Sequence, residues 1–127
     1  MFSHVMVGSN DIERSKRFYD ALFAAIGGKE GRIDPKGRLV YRHNGAAFMV
    51  TKPIDGEPAS HANGGTVGFS IDTPEAADSW HKAGTANGGT AIEDPPGTRD
   101  GHSGQLYLAY LRDPDGNKLC ALHRPPA

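Results

Sequence analysis

Large aliphatic and Phe side chains are scarce: 5 Val, 6 Ile, 7 Leu and 5 Phe make 23 of 127 residues, about 18%. Such a supply fills only a thin core, so a hollow or shared core is expected. An excess of either charge is also lacking, since 14 Lys plus Arg against 15 Asp plus Glu leaves a formal −1. That removes the long-range field that draws nucleic acid or anionic lipid, and points to a small neutral or locally complemented ligand as partner. One cysteine, Cys120, excludes an intrachain disulfide and agrees with a reducing compartment. No apolar run approaches the ~18 residues of a membrane helix, and Met1 to Gly8 has neither the basic flank nor the ~7–15-residue apolar stretch of a secretory signal. A cytoplasmic protein with no membrane partner is expected.

The length fits one compact domain or two small repeated units sharing a core, and a charged fraction of 23% is ordinary for a soluble domain. Ser3 to Val7 reads as a strand, broken by Gly8-Ser9-Asn10. Asn10 with Glu13 fits a capping box, and Ser15, Phe18, Leu22 and Ile26 recur on one helical face until Gly27-Gly28 ends it. Arg32-Ile33, Arg38 to His43 and Ala46 to Lys52 read as short strands, the last two joined by the hairpin signal Asn44-Gly45. The segment 54–65 is polar and rich in Gly and Pro, a linker. The plan then restarts: Thr66 to Ile71 is a strand, Thr73 caps a helix opening on Pro74, and Gly88-Gly89 closes it. Thr90 to Glu93, Leu106 to Arg112 and Lys118 to His123 supply further strands.

Sliding the sequence on itself by 62 residues places His4 on Thr66, Val5 on Val67, Val7 on Phe69, Phe18 on Trp80 and Gly27 on Gly89. The repeat rests on element order and these anchors. It divides a single domain, 1–127, into a first βαβββ module (1–53), a linker (54–65) and a second module (66–127), an α+β fold in which neither half buries its sheet alone. On the last strand Lys118, Cys120 and Leu122 share a face; on the strand before it Leu108, Tyr110 and Arg112 do.

Four stretches carry a resemblance: Ser3-His4-Val5, Phe18-Tyr19, Gly65-Thr66-Val67-Gly68-Phe69, and Arg112-Asp113-Pro114-Asp115-Gly116-Asn117-Lys118-Leu119. Over essentially the whole chain the sequence resembles the glyoxalase/bleomycin-resistance/dioxygenase (vicinal oxygen chelate) superfamily, the DPDGN turn being the most specific piece. The resemblance implies two βαβββ modules curling around a shared cavity, pairing of modules across a homodimer, and, in catalytic members, a divalent metal held by two histidines and a carboxylate.

Carried over, those ligand positions are His4, Thr66 and Cys120, of which His4 alone keeps a family ligand. A threonine hydroxyl is a weak donor and a cysteine prefers softer metals. The expectation is therefore a protein that binds a small organic ligand in a β-sheet cavity, with the metal site degenerate or absent and no cofactor assigned beyond a divalent metal. The alternative is a metal-dependent glyoxalase-like lyase or isomerase, or a thiol transferase. Thr66, Leu108, Tyr110, Arg112 and Cys120 are the candidate ligand-binding residues; the resemblance to thiol-transferring relatives turns Tyr110, three residues before the turn, inward. Arg112 would hold a carboxylate or phosphate at the cavity mouth. His4 and Cys120 form a candidate catalytic pair, from one subunit or two, because an imidazole lowers the pKa of a neighbouring thiol, although burial opposes it. The simpler readings make His4 a strand-end residue, Cys120 a small buried apolar side chain, Trp80 a core residue, and Asp113 and Asp115 turn formers.

Overall fold

The computed structural model describes residues 1–102 and 104–126. The first half is β1 (Val5–Gly8), α1 (Ile12–Ala24), β2 (Arg32–Ile33), β3 (Leu39–His43) and β4 (Ala46–Thr51); the second is β5 (Val67–Ser70), α2 (Pro74–Ala86), β6 (Thr90–Ala91), β7 (Gly97–Gly101), β8 (Gly104–Arg112) and β9 (Lys118–His123). The α+β plan of two repeated modules is the expected one, with β7 as an additional strand. Each half builds its own sheet, in the orders β1-β4-β3-β2 and β5-β9-β8-β6, with β7 pairing β8. The equivalent strands β1 and β5 pair in parallel with the last strand of their own half. Both are therefore edge strands, and the sheets are not closed into a barrel.

The α1 N-cap is Asp11, whose side chain accepts from the Arg14 N–H, rather than the expected Asn10. Asn10 is used elsewhere: its amide brackets Ala59 in the connecting segment, donating to the carbonyl at 3.2 Å and accepting from the N–H at 2.7 Å. Thr73 caps α2 as expected, with Pro74 at the first position where a missing N–H costs nothing. Asn44 and Gly45 take positive φ, 50° and 81°, the geometry of the tight β3–β4 hairpin.

One core unites the halves. Phe18, Tyr19, Leu22 and Phe23 of α1 pack on Leu39, Tyr41, Phe48 and Val50 of the first sheet, and Ala77 and Trp80 of α2 on Ala109, Leu111, Leu119 and Ala121 of the second. Aromatic rings replace the missing aliphatic bulk: Phe23 stacks on Tyr41 at 4.5 Å, and Phe69 bridges the halves by meeting Phe23 at 5.8 Å, Phe48 at 5.5 Å and Trp80 at 6.0 Å. Each sheet thus has one face buried under its helix and one left open.

The DPDGN turn between β8 and β9 fastens the end of the chain to its beginning. The Asp113 carboxylate accepts from the Asp115 and Asn117 N–H groups and from the buried Tyr19 hydroxyl at 2.5 Å. Asp115 accepts from the Asn10 N–H and from Arg14, both at 2.9 Å, and Asn117 donates to the Gly8 carbonyl. Asp113 and Asp115 are structural groups, as their turn positions suggested.

Candidate functional site

Strand register sets the open face of the second sheet. Gly68, Cys120 and Tyr110 form one cross-strand row; Ser70, Leu122 and Leu108 form the next. Arg112 lies opposite Lys118. Thr66, one residue ahead of β5, is exposed. The candidate residues Thr66, Leu108, Tyr110, Arg112 and Cys120 therefore share this face by strand alternation. A Cβ built at Gly68 would meet nothing within 4 Å, so the row beside Cys120 and Tyr110 has a notch in it.

The face carries a charged cluster that the sequence reading did not contain. Glu93, from the loop after β6, forms an ion pair with Lys118, and the Lys118 ammonium sits 5.0 Å from the centre of the Tyr110 ring. Glu93 reaches this point with a positive φ of 58°, a backbone geometry that no sequence pattern announces. Burial pushes the Cys120 thiol up, the Tyr110 hydroxyl pulls it down, Glu93 raises it and Lys118 lowers it, for a net rise. Burial likewise raises Tyr110, with Cys120 and Glu93 adding and Arg99 opposing. At neutral pH the face thus offers a neutral thiol and a phenolic O–H donor, not a thiolate.

Two candidates are placed otherwise than expected. The Arg112 guanidinium donates to the Gly116 carbonyl at 2.7 Å, so it braces the turn as well as bordering the face. His4 is exposed ahead of β1, and its ring bonds to the Ser3 hydroxyl at 2.8 Å. The groups acting on Cys120 are Tyr110, Glu93 and Lys118; His4 is not one of them. Among the described residues no hydrogen bond joins the exposed His4 ring to the buried Cys120 thiol.

Among the described residues no group of three or more His, Cys, Asp or Glu is arranged to hold a metal ion. The donors at the family's positions are one exposed imidazole, one neutral hydroxyl and one thiol held protonated, a set that does not fit an oxygen-preferring divalent ion. Of the face residues, Gly68 and Ser70 alone among those described border the apolar cavity. That space, about 310 Å³, lies between β1, the β3–β4 hairpin and β5; it borders Gly68 and Ser70 but not Leu108, Tyr110, Arg112 or Cys120. Among the described residues no helix is long and apolar enough to cross a membrane.

A glyoxalase/bleomycin-resistance protein from Albidiferax ferrireducens T118 is 59% identical, with 98% of this chain and 99% of that one covered and a TM-score of 0.94. A hypothetical protein from S. aureus (18% identity, 98% and 94% covered, TM-score 0.74) shares the fold. So does a lactoylglutathione lyase from Agrobacterium tumefaciens (19% identity, 97% and 92% covered, TM-score 0.67). A search among curated proteins finds no match. The family model of the Glyoxalase/Bleomycin resistance protein/Dioxygenase superfamily matches residues 1–121, and the chain belongs to that superfamily.

Proposed function

We propose that the protein is a cytoplasmic homodimer that binds a small organic molecule over the open face of its second sheet, without a tightly held metal of the family type. The observation that carries this reading is the notch at Gly68, flanked by the Cys120 thiol and the Tyr110 hydroxyl and bordered by the Lys118–Glu93 pair. It offers apolar area from Leu108 and Leu122 together with one oriented donor, the mix that small-molecule sites use. A second copy is the natural cover. The first sheet also leaves a face open, with Met6 opposite Met49 and Met49 opposite Val40, and β1 and β5 each have an unpaired edge.

The test is a thermal-shift screen of small aromatic and thiol-bearing compounds, with each hit retitrated on Tyr110→Phe and Leu108→Trp. Tyr110→Phe should weaken binding about 2- to 10-fold through loss of one neutral hydrogen bond. Leu108→Trp, which adds bulk to the open face without entering the core, should abolish it. Hits that bind both variants unchanged place the ligand elsewhere.

A further inference from the structure

The edge of β8 away from β9 is covered in two pieces. The strand β6 pairs with Arg112 and Leu111, and β7 resumes at Leu108, so Ala109 and Tyr110 lie opposite the loop 92–96. Five residues in the space of two must bulge, and the Ile92 N–H meets the Tyr110 carbonyl at 3.5 Å, a weak remnant of the ladder. The bulge carries Glu93 over the open face at a positive φ of 58°. Arg99 fastens its far end. Register sets Arg99 on the Tyr110 side of the sheet; its guanidinium passes over Gly97, where a Cβ would lie 3.0 Å from it, and donates to the Pro95 carbonyl at 2.6 Å.

The result is a carboxylate set among cations. Lys118 pairs with Glu93 and lies over the Tyr110 ring, the charge of Arg99 acts on the Tyr110 hydroxyl, and Arg112 stands opposite Lys118 in register. Glu93 is the acid that acts on both Tyr110 and Cys120. Its side chain is 46% exposed and that of Lys118 27%, so both are reached from solvent. An ion pair so exposed contributes little to stability, and a glutamate at positive φ gives back part of that in backbone strain. Glu93 therefore holds Lys118 by a contact that a competing carboxylate can replace.

We propose that Lys118 anchors a carboxylate-bearing ligand on this face, and that Glu93 is its built-in competitor, leaving Lys118 when that ligand binds. The inference rests on the reading of the Tyr110 face as the ligand site and adds to it the ligand's charge. The group that Lys118 holds in the free protein defines the chemistry, since a ligand carboxylate takes over the same partner with the same geometry. Glu93 then returns to solvent from a loop that is already exposed, so the exchange leaves no buried charge unpaired. A neutral ligand of equal shape gains nothing from Lys118, and a cationic one meets Lys118, Arg99 and Arg112. Arg112 is not the anchor, because its guanidinium is committed to the Gly116 carbonyl.

The probes are 2-naphthoate and its neutral isostere 2-naphthamide, titrated by calorimetry. Glu93→Gln should tighten naphthoate binding about tenfold and leave naphthamide unchanged. Lys118→Gln should abolish the preference for naphthoate. Combining Glu93→Gln with Lys118→Gln should give no gain over Lys118→Gln alone, because the gain needs the ammonium. Glu57→Gln, which removes an exposed carboxylate of the connecting segment, controls for net charge and should change neither titration. Leu108→Trp should block both probes, which tests the site itself. If both probes ignore Leu108→Trp, the reading of the face fails and this inference with it. If Leu108→Trp blocks both but Glu93→Gln tightens neither, or tightens naphthoate equally without Lys118, the face stands and the inference alone is overturned. Absence of saturable naphthoate binding to Glu93→Gln overturns it as well.

Discussion

Asp20 collects three donors: the Lys16 ammonium at 2.7 Å, the Gly31 N–H at 2.8 Å and the Tyr41 hydroxyl at 2.7 Å. Partial burial resists its ionisation, but the Gly31 amide, Lys16 and Tyr41 outweigh it, so its pKa lies below the usual carboxylate value. A depressed folded value means the stabilisation is present above the unfolded pKa, about 4, and is lost as the pH falls through the folded one. Asp20→Asn should therefore cost about 1–2 kcal/mol at pH 7 and progressively less below about pH 4. Urea midpoints of both proteins at pH 7 and pH 3 check this; a gap that stays constant would mean the charge is irrelevant. Asp113 carries the opposite sign. Burial raises it further than the Tyr19 and Asn117 bonds lower it. Its protonated form thus favours the fold, fully below the usual carboxylate value and less as the pH rises through the folded one.

Where α2 crosses α1 the packing depends on Gly84. A Cβ there would collide with the Leu111 Cδ1 and come within 3.2 Å of Leu22 and 3.4 Å of Phe18. Gly84→Ala gains about 1 kcal/mol of helix propensity yet should still destabilise by a net of about 1–2 kcal/mol, because close-packed rings and methyls cannot retreat. A denaturation midpoint at or above the wild-type value would show that the helices move apart freely. The helices and paired strands were legible because apolar periodicity and caps are local. Between the adjacent capping residues Asn10 and Asp11, the choice was settled by Ala59, 49 residues away. The strand β7 was not legible: Gly-Thr-Arg-Asp-Gly has no apolar alternation and is a strand only because β8 lies beside it. Alternation did gather Leu108, Tyr110, Arg112 and Cys120 on one face. It was blind to Glu93, delivered by a loop, and to the Arg112 bond, whose acceptor is a backbone carbonyl.

For the molecule as a whole, two open sheet faces and the unpaired edges of β1 and β5 leave surface that a second copy can cover. Light scattering at micromolar concentration should return a dimer mass, and Met6→Glu with Met49→Glu, placing charge on the open face of the first sheet, should shift it toward monomer. A wild-type monomer would remove the second copy from the site. The DPDGN fastening bears on how the chain reaches this state. The partner of the Asn10 N–H is 105 residues downstream, and closing a loop of that length costs on the order of 4 kcal/mol in chain entropy before the contact repays it. During synthesis the first helix leaves the ribosome long before Asp113 and Asp115 exist, with the Tyr19 hydroxyl and the Arg14 guanidinium still without their acceptors. Completion of the N-terminal half is thereby tied to release of the finished polypeptide, and truncation ahead of Asp113 should leave an aggregation-prone chain rather than a folded half.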